Sequence, residues 1–239
     1  MTYSADGPSG PGPPTARARA PVPAGVPAAG DGLQVLRAWP DLPPRAAEAL
    51  QVMLDGNERF RSGRARHPHG SPTRRRAVAA GQQPVAAFFG CIDSRVPDEV
   101  VLDQGLGDLL TVRTAAHVLD TAALGSLEFC VHQVGVPLIM VVGHERCGAV
   151  TAAIGVLEGG VQVPNAIRRL VEVLRPAVEA TRAIDDVELR VDAAVRWHTR
   201  LTVEQLLDRS PVLTHAMEEG EVGIVAARYD LGTGEITPA

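Results

Sequence analysis

The sequence of 239 residues has no apolar run approaching the roughly 20 residues that a membrane-spanning helix needs. Its first 30 residues hold no apolar segment of the kind that a secretory signal requires. Cysteine is scarce, and the three present cannot all pair with one another. With nothing placing them in an oxidising compartment, they read as free or metal-bound thiols. A basic excess is also missing. The 23 basic side chains stand against 28 acidic ones, without a long basic run, which argues against nucleic acid as a partner. No internal repeat is present. These absences lead to the expectation of a soluble, cytoplasmic chain. At this length it can bury roughly 70–75% of its extended surface and needs no disulfide to fold.

Residues 1–32 carry seven of the 19 prolines and six of the 24 glycines. Such a segment has too little apolar surface to offset its ordering entropy and is expected to be a disordered tail, leaving 33–239 as a single domain. After Pro43-Pro44, the spacing of Ala47, Leu50, Met53, Leu54 and Phe60 predicts a helix. The basic stretch Arg61–Arg76, with Pro68 and Pro72, reads as a surface loop. Val85–Gly90, Leu109–Arg113 and Val136–Gly143 are short apolar runs that suit buried strands. Thr121–Val134 has helical periodicity between the second and third of them, which makes a βαβ unit and so a parallel sheet. Helices are expected at Ala149–Leu157, Val163–Ala183 and Val187–Leu207, and a late strand at Gly223–Arg228 ahead of a terminal edge strand. The predicted architecture is α/β, a mostly parallel sheet of four or five strands flanked by helices.

Two strand ends carry reactive side chains. The first run ends in Cys91-Ile92-Asp93-Ser94-Arg95, and the third in Gly143-His144-Glu145-Arg146-Cys147-Gly148. Ligands gather at the carboxyl ends of parallel strands. If the two strands are neighbours, Cys91, His144 and Cys147 converge there. Two thiolates and an imidazole suit zinc, and three protein ligands with an open fourth position mark a catalytic rather than a structural site. Taken singly, Cys91 or Cys147 reads equally well as a small buried apolar residue. Asp93 and Arg95, two and four positions beyond Cys91, can form a pair in which the guanidinium keeps the carboxylate ionised, either beside a metal or merely at the start of a helix near Pro97.

The segments CIDSRVPDEVVLDQGLGDLLTVR, GSLEFCVHQVGVPLIMVVGH and GHERCGAV closely resemble the β-class carbonic anhydrases, and LDGNERF resembles the dimerising N-terminal helices of that family. The likeness runs from about residue 45 to Asp230 and weakens after Ala153. It implies one zinc ion per chain on Cys91, His144 and Cys147, with Asp93 and Arg95 as the catalytic dyad. It further implies that Gln82 and the Gly148 amide bind substrate, and that Leu110, Val112 and a partner's Phe129 form an apolar pocket for carbon dioxide. A homodimer or dimer of dimers follows from the same resemblance. In some members the aspartate becomes a fourth zinc ligand at low pH, and Asp93 is the residue that would do so here. The chain departs from the commoner Arg-Asn-Ala-Gly-Asn pattern with Arg113-Thr114-Ala115-Ala116-His117, which leaves open whether His117 relays protons or is structural. The implied reaction is zinc-dependent hydration of carbon dioxide to bicarbonate and a proton. Hydrolysis of carbonyl sulfide or carbon disulfide, or a non-catalytic zinc site, are the alternatives. Assays with each gas separate the first of these, and the intact Asp93–Arg95 pair speaks against the second.

Overall fold

A computed structural model describes residues 39–239; the expected tail at 1–32 lies outside the described residues. Five strands form one sheet in the order β2-β1-β3-β4-β5, where β1 is Ala86–Cys91, β2 Leu109–Thr114, β3 Leu138–His144, β4 Gly223–Tyr229 and β5 Ile236–Pro238. The first four are mutually parallel and β5 pairs antiparallel with β4, so the expected strand count resolves to five. Every residue of β1 and β3 is buried, as expected for uninterrupted apolar runs at the centre of a parallel sheet. By contrast β2 is half-exposed along its length, because it forms the sheet edge. The helix between β2 and β3 crosses over β1, so those two strands share the sheet without touching.

The helices are α1 Pro44–Arg61, α2 Pro72–Val78, α3 Asp98–Val101, α4 Thr121–His132, α5 Gly148–Gly159, α6 Asn165–Ala180, α7 Val187–Arg209 and α8 Pro211–Glu218. Proline at the first position and a side-chain cap explain two that the sequence reading did not include. Pro72 opens α2 behind Ser71, whose hydroxyl accepts from the Arg74 amide, and Pro211 opens α8 behind Ser210, which accepts from Leu213. The loop expected at Arg61–Arg76 is therefore corrected: its last five residues are helical.

One sheet face packs on α1, with Ala49, Leu50 and Met53 against Phe88, Met140, Val142, Val225 and Ala227. The other packs on α4, α7 and α8, with Leu127, Val131, Leu206 and Leu213 against Ala87, Phe89, Ile139, Val141 and Ile224. A third cluster, over the carboxyl ends of β1 and β3, joins Cys91 and Cys147 to Val150 and Ala153 of α5, Leu174 and Val178 of α6, and Val191 and Val195 of α7. The helices that follow β3 thus wall the strand ends off from water on one side. In α1, Asn57 is buried and fully paired. It donates to the carbonyls of Val101 and Gly234 and accepts from the Ile236 amide, tying β5 to the body of the fold.

Candidate metal centre

Since β1 and β3 are parallel neighbours, Cys91 and His144 finish adjacent strands at the same sheet end. The chain turns through Arg146, whose φ of 51° is left-handed, and brings Cys147 back as the cap residue of α5. The ligand atoms of Cys91, His144 and Cys147 all lie within 4.8 Å of one another, and all three residues are buried. His144 Nδ1 donates to its neighbour's carbonyl, Glu145 O, at 2.9 Å, which fixes the tautomer with the lone pair on Nε2. That Nε2 is buried and has no hydrogen-bond partner. An orphaned imidazole nitrogen facing two sulfurs is what a cation with soft N and S ligands requires, and the donor set fits zinc.

The thiols perturb one another. Cys91 is lowered, first by the hydrogen bond from Cys147, with the backbone amides of Ala116 and Asp93 acting the same way against burial. Cys147 is raised by its hydrogen bond to Cys91 and by burial. Without a cation the pair resists double ionisation; a divalent ion at the centre removes that resistance.

Asp93 sits at the rim. Arg95 grips it with Nε on Oδ1 at 2.9 Å, Nη2 on Oδ2 at 2.7 Å, and its own amide on Oδ1 at 2.9 Å. That fork holds the Asp93 carboxyl well below the usual carboxylate range. Arg95 Nη2 also reaches the Arg146 carbonyl at 3.3 Å, linking the two site-forming loops. Asp93 Oδ2 lies 3.8 Å from His144 Nε2, so the carboxylate borders the three candidate ligands. Arg113 was not singled out from sequence. From the end of β2 its Nε and Nη2 bind the carbonyls of Cys91 and Asp93, both at 2.7 Å, and fix the corner between them.

The structure distributes the expected substrate residues unevenly. Gly148 opens α5 with its amide at the helix N-terminus, next to Cys147. Leu110 and Val112 pair in register with Ala87 and Phe89, so they share the sheet face on which Cys91 lies, half-buried at the open edge. Phe129 points outward from α4, 58% exposed. Gln82 is exposed on the loop before β1 and lines a cavity of about 440 Å³ with Val78, Gly81, Leu106 and Gly107; no metal-site residue borders it. His117 is 2% exposed, with its ring against Phe89 and His198, away from solvent and so unsuited to passing protons to buffer. Cys130 is buried in α4. The loop carrying Arg64, Arg66, His67 and His69 is pinned by carboxylates: Asp103 accepts from the amides of Arg66 and His67, and Asp108 binds His69 Nδ1.

The carbonic anhydrase family model matches residues 86–236, from β1 into β5. Carbonic anhydrase 2 of Mycobacterium tuberculosis is 44% identical over 186 residues, spanning 78% of this chain and 89% of that protein. The carbonic anhydrase of Mycolicibacterium smegmatis is 41% identical over 189 residues, 79% and 90% of the two chains. A tetrameric β-carbonic anhydrase of the ascomycete Sordaria macrospora superposes with a TM-score of 0.64 at 23% identity, over 80% of this chain and 96% of that one, a likeness of fold. The family model and the relatives above 40% identity agree, and the chain belongs to the β-class carbonic anhydrase family.

Proposed function

We propose that this protein hydrates carbon dioxide reversibly to bicarbonate and a proton, using one zinc ion held by Cys91, His144 and Cys147. The observation that carries the proposal is the unpartnered, buried Nε2 of His144 facing two thiols, with an ionised carboxylate alongside. Zinc in such a site keeps one position for solvent and lowers the pKa of water from 15.7 to about 7, supplying a nucleophile at neutral pH. The chain's own residues do the rest. Asp93, ionised because Arg95 forks onto both its oxygens, accepts a hydrogen bond from the attacking water and so aims its lone pair. With both oxygens engaged by Arg95, Asp93 would be held back from joining Cys91, His144 and Cys147 as a further ligand. Leu110 and Val112 offer an apolar wall, which suits an uncharged linear substrate. The Gly148 amide, at a helix N-terminus, suits the negative charge that develops as bicarbonate forms.

The half-exposed β2 edge and the exposed Phe129 support assembly with a second copy, which would enclose that wall. Gln82 serves as a substrate contact only in such an assembly, since within one chain it faces a different cavity. Among the described residues no helix is long and apolar enough to cross a membrane.

The test is stopped-flow carbon dioxide hydration by zinc-loaded wild type and Asp93→Ala. The expected result is unchanged zinc content with at least a tenfold loss of rate, the scale of a lost partner to a metal site. Equal rates would refute the role of Asp93, and an inactive, zinc-loaded wild type would refute the proposed reaction.

A further inference from the structure

Behind the metal site lies a buried polar cluster that the reaction does not use. His117 and His198 stack with ring centroids 4.8 Å apart, and His117 Nε2 lies 3.3 Å from Thr199 Oγ1. The Thr199 hydroxyl donates its own proton to the Val195 carbonyl at 2.7 Å, so its oxygen accepts from His117 Nε2–H. This cluster seats a backbone turn. Ala116 and His117 both have left-handed φ, 50° and 45°, unusual for two successive residues with side chains. Such a conformation persists only where its surroundings hold it. Its product is visible at the metal site, where the Ala116 amide donates to Cys91 Sγ at 3.3 Å. Gly143, immediately before His144, admits the clamp: a Cβ there would fall 2.4 Å from Thr199 Oγ1 and 2.6 Å from Val195 Cγ1.

We infer that His117 and Thr199 are positioning residues for the metal ligand Cys91: their hydrogen bond holds the left-handed turn that keeps the Ala116 amide on the Cys91 sulfur. An amide donor lowers the energy of the sulfur lone pairs and fixes the direction in which the sulfur points, and ligand-orienting partners of this kind govern metal retention. The inference rests on the zinc reading above. Wild-type metal binding tests that reading by itself, whereas comparison among variants tests this one.

The experiment uses the full chain loaded with cobalt(II). Sulfur-to-cobalt charge-transfer absorption reports the Cys91 lone pairs, and the rate of cobalt loss to a chelator reports retention. Thr199→Val keeps the shape of the side chain and removes the acceptor. His117→Asn keeps a residue tolerant of left-handed φ but cannot reach Thr199. Each is expected to move the charge-transfer band to longer wavelength and to speed cobalt loss about tenfold. Adding Ala116→Gly, which lets the turn hold without the clamp, is expected to return both readouts toward wild type without restoring melting temperature. A band unmoved in folded Thr199→Val overturns the inference, because a packing role lowers stability without touching the sulfur. Failure of Ala116→Gly to rescue overturns it too, and a wild type that binds no cobalt refutes both readings.

Discussion

Replacing His198 with leucine should make the protein less sensitive to acid by a calculable amount. His198 is 1% exposed in α7, and neither ring nitrogen has a well-formed hydrogen-bond partner. Burial favours the neutral ring and lowers its pKa from 6.5 to about 4, with the Ala116 carbonyl pulling the other way. Once unfolded, the ring titrates near 6.5. Below that pH the unfolded chain binds a proton that the native chain refuses, so the stability is intact above pH 6.5 and is lost as pH falls toward 4. Integrated from pH 7.5 to 5.5, one such ring costs about 1.3 kcal/mol. His117 is lowered in the same sense, chiefly by burial and then by repulsion from His198 and His144. Urea unfolding of zinc-loaded wild type and His198→Leu at both pH values isolates the contribution. Packing changes and metal release enter both pH values or both proteins, and cancel in the double difference. The variant should lose about 1.3 kcal/mol less than wild type over that interval. Equal losses would refute the claim that this histidine is held neutral by burial.

Two further substitutions probe the architecture. Gly143→Ala places a methyl within 2.4 Å of Thr199 Oγ1, so it should cost about 1–3 kcal/mol in denaturant unfolding and weaken metal retention by displacing His144. Phe129→Glu puts a charge on the exposed face of α4, and sedimentation should show a smaller assembly than wild type with the fold intact by circular dichroism.

The strands were legible because their sequences are short and mainly apolar: β1, β2, β3 and β4 fall within two residues of the runs at Val85, Leu109, Val136 and Gly223. The candidate metal ligands were legible as chemistry at two strand ends, but their convergence depended on β1 and β3 being neighbours. Sequence order alone does not give that, because β2 lies between them in the chain and at the edge in space. Helices α2 and α8 escaped because α2 buries no side chain and α8 only Leu213 and Ala216, so neither shows a clear apolar stripe. Their signal was capping, serine followed by proline. The hydrogen bonds from Arg113 and the Ala116 amide to the Cys91 corner were invisible, since the first spans 22 residues and the second depends on a left-handed turn at an alanine. His117 illustrates the same limit. Its neighbours in the chain suggest a loop, and only α7, 82 residues later, shows why it is buried.

Zinc K-edge X-ray absorption of the zinc-loaded chain tests the central claim most directly. Coordination by Cys91, Cys147 and His144 predicts two sulfur scatterers at about 2.3 Å and one imidazole nitrogen at about 2.0 Å, with a single light atom completing the shell. A shell of nitrogen and oxygen alone, or a second imidazole in place of a sulfur, would contradict it.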